Sequence, residues 1–353
     1  MDVKTWIQTH FLAGNAVQYP FSFIYNGTAS STFLRDWECR TATQSIDEAR
    51  VRHVLICRDP QTQLEVECQI TAFSDFPAVE WVLHLKNNAA TDTPIIGQIQ
   101  ALDTVFTRER DEEFDVRCFR GILGSRADFS PLHYGLGPCC VKKISSVGGR
   151  SSSSADATHD DGVSPFFDIT FDQGGLTVAV GWTGQWAPRF HRDAGQNQQE
   201  VAGMEKTHLR LHPGEEIRTP SILMVAWNGN LVDAHNQFRR FMLKHHTPQQ
   251  NGQPVQCPIS ANTWFRHQWG NGVTEENQIQ AIREIAENKI DIECFWIDAG
   301  WYEGVGNWAF DVGNWFPKKK AFPRGLKPVV DEAKKHGMGF VLWFEPDGVQ
   351  SHT

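Results

Sequence analysis

Two apolar runs in the last hundred residues each deliver a carboxylate. The first is Cys294-Phe295-Trp296-Ile297-Asp298, followed by Ala299-Gly300-Trp301. The second is Gly339-Phe340-Val341-Leu342-Trp343-Phe344-Glu345, followed by Pro346. A buried strand that ends in an acid is how a parallel α/β barrel presents chemistry at the C-terminal mouth of its strands. Only eight residues follow Glu345, so a barrel built on these strands is expected to be incomplete within the chain.

The residues around the two runs fit such a unit. Pro258–Trp264 reads as a short strand. Thr274 caps a helix that has Glu275 and Glu276 in its first turn and Asn277 three residues on. Ile279, Ile282, Ile285 and Ala286 mark one face of that helix, to about Asn288. A 24-residue loop runs from Ala299 to Phe322, and Pro323-Arg324-Gly325 leads a second helix through Val329, Val330 and Ala333 to Gly337. The order is β-α-β-α-β, with right-handed crossovers expected. A dinucleotide-binding unit has the same order but needs a glycine fingerprint after its first strand. Phe265-Arg266-His267-Gln268-Trp269-Gly270-Asn271-Gly272 stands there instead, which favours the barrel.

The first ~240 residues read as β structure. Strands are expected at Arg50–Cys57, Leu64–Phe73, Val79–Asn87, Ile95–Thr104, Phe166–Asp172, Leu176–Trp182, Thr207–Leu211 and Ser221–Ala226. Many short strands with Gly, Pro and Asn turns suggest a large β-sandwich. Gly148–Gly162 reads as an exposed loop. Val232–His245 reads as a helix with Ala234, Phe238, Phe241 and Met242 on one face. His246–Pro254 is polar, contains two prolines and reads as a linker. The expected organisation is a β-sandwich over 1–230, a helix and linker over 231–257, and an incomplete (β/α)8 barrel of about three βα units over 258–353.

Hydrophobic residues make up 40% and charged residues 21% of the chain, as in a globular protein. The net charge of −9 and the lack of a basic stripe argue against nucleic acid as a partner. No run approaches the ~20 apolar residues of a membrane span. No signal peptide is evident after Met1, so a cytoplasmic setting is expected. The eight cysteines show no framework or metal-ligand spacing. They read as free thiols in a reducing compartment, and no metal is expected.

Seven of the 13 tryptophans lie between Trp264 and Trp343. Indoles suit the apolar faces of sugars, and carboxylates accept hydrogen bonds from sugar hydroxyls. Asp298 and Glu345 are expected on neighbouring strands at one mouth, with Trp301 and Trp315 on the loop between them. A carboxylate pair could also serve as the acid and nucleophile of a glycosidase. His267 and Trp269 follow the first strand and are candidates to line the mouth, although a structural role suits the histidine better. Glu303, Asp311 and Asp347 are expected to be solvated.

Phe295-Trp296-Ile297-Asp298-Ala299-Gly300-Trp301, Gly313-Asn314-Trp315-Phe316, Phe322-Pro323-Arg324-Gly325-Leu326-Lys327-Pro328 and Leu342-Trp343-Phe344-Glu345-Pro346 together resemble α-galactosidases of glycoside hydrolase family 36. Asp75-Phe76-Pro77-Ala78-Val79-Glu80-Trp81, Gly181-Trp182-Thr183-Gly184-Gln185-Trp186 and Asn236-Gln237-Phe238-Arg239-Arg240-Phe241-Met242 extend the resemblance to the N-terminal half. It implies a β-supersandwich, then the first part of a barrel, and retaining cleavage of terminal α-galactosides. It also implies a nucleophile on the fourth barrel strand and an acid/base on the sixth, both beyond Thr353. No catalytic residue is therefore assigned here. Asp298 matches the first Asp of an Asp-Asp-Gly-Trp motif that binds galactose hydroxyls, and Trp315 matches the indole of a Gly-Asp-Trp motif that lines the sugar subsite. Trp301 and Glu345 would shape the pocket floor. Ala299 replaces the second Asp, Asn314 replaces the Asp of Gly-Asp-Trp, and Phe265 stands where an acid often occurs. These departures leave the sugar open.

The expected function is hydrolysis of α-galactosides or related α-glycosides, with an oligosaccharide or glycoside substrate. No cofactor, nucleic acid or membrane is implied, and homo-oligomerisation is left open. The alternative is a sugar-binding protein without catalysis, or an inactive fragment.

Overall fold

The computed structural model describes residues 2–13, 18–108, 114–121, 126–146, 162–171, 174–346 and 350. The chain divides into two compact units, Met1–His246 and Thr247–Thr353. The stretch 148–161, expected as a loop, lies outside the described residues.

The first unit is β, as its alternating runs require. A ten-stranded antiparallel sheet runs in the order Glu38–Ser45, Arg50–Arg58, Leu64–Phe73, Ala78–Asn87, Ser221–Asn228, Gly174–Gly181, Val163–Phe171, Phe114–Arg120, Pro131–Leu136, with Glu216–Arg218 beside Ala78–Asn87. A seven-stranded sheet centres on the long strand Ile96–Thr107, flanked by Asn197–Gly203 and Ser22–Tyr25. Alternation decides which side chains go in. Leu64, Val66, Cys68 and Ile70 are buried on one strand, and Val79, Trp81, Leu83 and Leu85 on the next. They share one core with Phe23, Ile99 and Leu102 of the smaller sheet. Each fully buried aliphatic side chain contributes roughly 1.5–3 kcal/mol. The Trp81 indole N–H donates to the Ala101 carbonyl at 2.8 Å, a hydrogen bond that crosses from one sheet to the other.

Cys39 and Cys57 sit directly opposite each other on adjacent antiparallel strands and form a disulfide. This corrects the expectation of free thiols throughout. An 18-residue separation gave no framework signal, because strand register and not spacing brings the two sulfurs together.

The helix Leu231–His245 is capped by the Asn230 side chain, which accepts from the Val232 and Asp233 amides. Ala234 and Phe241 are buried, and Phe238 and Phe241 pack with Phe73, Leu223 and Val225 of the ten-stranded sheet and with Phe76 in the turn after Phe73. Met242, expected on this face, is exposed. The inner row continues from Phe241 to His245, whose ring lies 4.7 Å from that of Phe73. A spacing of four keeps His245 on that row, and Met242 is turned about 100° off it.

In the second unit, residues 249–254 form a small hairpin, where a linker was expected. Asn251 and Gly252 both take positive φ at its turn (55° and 75°), the Asn-Gly pattern of a two-residue hairpin loop. Three parallel strands follow: Ser260–Asn262, Cys294–Ile297 and Gly339–Leu342, with Cys294–Ile297 in the middle. The third strand stops at Leu342, short of Glu345. Between them run the helices Glu275–Glu287 and Lys327–Lys335. Thr274 and Asn277 form a reciprocal capping box on the first helix. Gly337 ends the second with φ +77°. Ala281, Ile282, Val329 and Ala333 from the helices share a core with Phe295 and Ile297 of the middle strand. Arg283 on the first helix pairs with Glu332 on the second at 2.8 Å. Among the described residues no helix is long and apolar enough to cross a membrane.

Two inward positions of the strand Asn197–Gly203, Gln198 and Glu200, break the apolar rule of the first unit. Glu200 is fully buried, and neither carboxylate oxygen has a hydrogen-bond partner among the described residues. Burial pushes its carboxyl up to about 8 from the ordinary 4.5. Between those values the folded chain holds a proton that the unfolded chain has lost, so stability falls as pH rises. Denaturant titrations at pH 5 and pH 9 should show Glu200→Gln escaping a loss on the order of 4 kcal/mol that the parent suffers. Parallel pH dependence in the two proteins would contradict this account.

Candidate functional site

The middle strand ends at Ile297, which is fully buried, and the next residue is Asp298. The Asp298 carboxylate accepts from Asn262 Nδ2 at 2.7 Å through Oδ2 and from the Ala299 amide at 2.7 Å through Oδ1. Asn262 closes the first strand, and its Oδ1 accepts from the Trp264 amide at 2.7 Å. Asp298 is half-buried. Each oxygen accepts once inside the protein and keeps capacity for a second donor.

Two glycines hold this corner. Gly270 and Gly300 take φ of +81° and +92°, and a Cβ on Gly300 would lie 2.3 Å from the Gly270 carbonyl oxygen. A Cβ on Gly270 would meet the Ala299 carbonyl oxygen at 2.4 Å and the Trp264 ring at 2.6 Å. The loop after the first strand therefore rests backbone to backbone on the turn after Asp298. Only glycine combines this φ with this approach.

The loop 299–322 is an aromatic plug. Trp301 is buried, and its indole N–H donates to the Trp343 carbonyl at 3.0 Å. Tyr302 is fully buried and donates to the Trp308 carbonyl at 2.9 Å. Burial pushes the Tyr302 phenol well above its usual range, and the nearby Glu345, Asp311 and Asp298 carboxylates add to the rise. Trp315 is half-buried, with ring centroids 5.0 Å from Tyr302, 5.2 Å from Phe344 and 6.2 Å from Trp301. Phe316 and Phe344 are exposed beside it in sequence and in space, respectively.

Glu345 is buried, and neither of its oxygens has a hydrogen-bond partner among the described residues. Such a carboxylate is costly unless something supplies donors. Asp311, expected to be solvated, is instead fully buried and accepts from the Val305 and Gly306 amides at 2.7 and 3.0 Å. Gly304 makes room for it, since a Cβ there would lie 1.9 Å from its carboxyl carbon. Glu303 accepts from the Lys319 amide at 2.8 Å, and Asp347 lies outside the described residues.

His267 and Trp269 follow the first strand as anticipated. Burial lowers the His267 pKa, which favours its neutral form, and its Nε2 has no partner among the described residues. Trp269 takes φ +56°, and both it and Phe265 are exposed. Asn262 and Asn271, which sequence reasoning missed, tie the corner together. Asn271 Oδ1 accepts from the Trp308 amide at 2.8 Å. Their signal was faint: polar residues beside a strand end and between two glycines. Among the described residues no cluster of His, Cys, Asp and Glu has the grouping of a metal centre.

A melibiase family model matches residues 216–353. Alpha-galactosidase 2 of Pediococcus pentosaceus is 22% identical over 310 residues, covering 85% of this chain and 40% of that protein. Alpha-galactosidase Mel36A of Lactobacillus acidophilus is 23% identical over 310 residues, covering 86% of this chain and 40% of that protein. The solved α-galactosidase of Lactobacillus brevis has a TM-score of 0.72 at 18% identity, covering 94% of this chain and 45% of its own. The family 36 α-galactosidase AgaA of Geobacillus stearothermophilus has a TM-score of 0.68 at 17% identity, covering 93% and 46%. The chain is a divergent relative of the family 36 α-galactosidases. This upholds the resemblance drawn from the motifs, and the mostly β fold matches those structures. The family 36-like chain spans about 40% of the length of the curated relatives it matches.

The glycine contact yields a prediction. Gly300→Ala should destabilise the chain by on the order of 2–4 kcal/mol, because it combines a positive φ with a clash against backbone. Urea unfolding measures this, and an unchanged midpoint would remove the contact from the account.

Proposed function

We propose that the chain carries the sugar-holding part of a retaining glycoside hydrolase acting on α-galactosides or related α-glycosides. On this reading residues 1–230 are a supersandwich, 231–257 a helix and linker, and 258–353 the first part of a (β/α)8 barrel. Asp298 and Trp315 hold the glycone, and Trp301 and Glu345 form the pocket floor. Trp301 does so as the buried layer under Trp315. The observation that carries the reading is Asp298: a carboxylate at the C-terminal end of a parallel strand, fixed by Asn262 and the Ala299 amide and still able to accept from sugar hydroxyls. The unpaired oxygens of Glu345 support it, because a ligand's hydroxyl groups would supply the missing donors. Complexes of Geobacillus stearothermophilus AgaA variants with raffinose and stachyose support an oligosaccharide as substrate.

The resemblance assigns the nucleophile and the acid/base to a fourth and a sixth barrel strand. On that assignment no residue of 258–353 is proposed for bond cleavage. Ala299 in place of an acid removes one polar contact, so weak discrimination between galactose and its epimers is expected.

The test is a pair of measurements. In a protein that includes the remaining strands, Asp298→Ala should lower kcat/KM for an aryl α-galactoside, or for the preferred α-glycoside, by at least a hundredfold. Retained parental kcat/KM would sink the assignment. Calorimetric titration of the 353-residue chain with galactose and melibiose should give binding that Asp298→Ala abolishes. No heat from the folded chain would remove the sugar-holding reading, whereas binding without hydrolysis in any longer protein would favour the sugar-binding alternative.

A further inference from the structure

We propose that the outer face of the seven-stranded sheet in the first unit is a second ligand site, one for a small anionic saccharide such as a sugar phosphate or a uronate. A groove of about 660 Å³ opens there. That size suits a mono- or disaccharide. Lys143, Arg189 and Val201 lie side by side across three neighbouring strands, on the face opposite the core-facing Phe190 and Ala202. The Lys143 ammonium is paired with Glu205 at 2.9 Å. Arg189 and Lys206, which also line the groove, are exposed and have no ion pair or hydrogen bond among the described contacts. The groove thus holds three cations against one carboxylate, on a chain whose net charge is −9. An unpaired guanidinium beside an ammonium is chemistry for a carboxylate or phosphate.

The rest of the lining fits the body of a sugar. Gln98, Gln100 and Thr207 offer neutral donors and acceptors, and Met204 and Val201 offer an apolar patch. The backbone is irregular here as well. Gln98 takes φ +46°, its N–H donates to the Thr207 carbonyl at 3.1 Å, and the Ile99 N–H donates to Thr207 Oγ1 at 2.8 Å. The ladder also shifts register between Ala202 and Gly203. Bulges of this kind re-aim side chains next to sites.

Titration calorimetry of the Asp298→Ala chain, in which the glycone site proposed above is removed, with galactose 1-phosphate tests the proposal, with inorganic phosphate as the comparison. Galactose 1-phosphate should bind at least tenfold more tightly than inorganic phosphate, and more weakly as salt rises. Replacing both Arg189 and Lys206 by Ala should weaken it by tenfold or more with an unchanged melting temperature. If melting falls, the Arg189→Gln and Lys206→Gln pair should show the same loss. Because Asp298 is already replaced, binding in this chain belongs to the groove and not to the site proposed above. Absence of binding by the Asp298→Ala chain, or binding in it that survives both cation replacements, would overturn the proposal. Equal affinity for inorganic phosphate would overturn the saccharide assignment.

Discussion

At the C-terminal end of the parallel sheet two backbones touch at Gly270 and Gly300, and the surrounding corner depends on that contact. It brings the loop after the first strand onto the turn after the second, with no room for a Cβ on either residue. Asn262 and Asn271 then bridge the same two segments with side-chain hydrogen bonds, to Asp298 and to the Trp308 amide. The Asp298 carboxylate is held from two directions as a result. A side chain whose geometry is fixed before a ligand arrives loses little conformational entropy on binding.

Much of this architecture was legible from local pattern. Val79 to Leu85 alternates, and the strand Ala78–Asn87 buries every second residue from Val79. Thr274 and Asn277 announced a helix start that is a full capping box. What escaped depended on partners distant in sequence. Cys39 and Cys57 meet because strand register sets them opposite, which spacing does not encode. Asn251-Gly252 was read as linker because no apolar runs flank its hairpin. Met242 looked apolar and inward, yet His245 takes the inner row.

The candidate site was legible in part. Asp298 and Trp315 were visible as an acid after an apolar run and an indole on the loop that follows. Their surroundings were not. Asp311 resembled any loop acid, and only the Gly304-Val305-Gly306 turn folding over it makes it a buried structural acceptor. Trp301 looked available to a ligand, but its indole N–H is spent on the Trp343 carbonyl and its ring is buried. Buried acids also part company by environment. Asp311 is satisfied by backbone amides, whereas Glu200 and Glu345 have no partner among the described residues. Glu200 is enclosed in a core, and Glu345 follows a strand that ends near the aromatic plug.

On the proposed function, the Asp298 corner holds a sugar against the Trp315 aromatic cluster. A crystal structure of the chain grown with 1-deoxygalactonojirimycin tests it most directly. The ligand's hydroxyls should lie within hydrogen-bond distance of Asp298, with its ring against Trp315. A ligand bound elsewhere, with Asp298 still engaged only by Asn262 and the Ala299 amide, would contradict it.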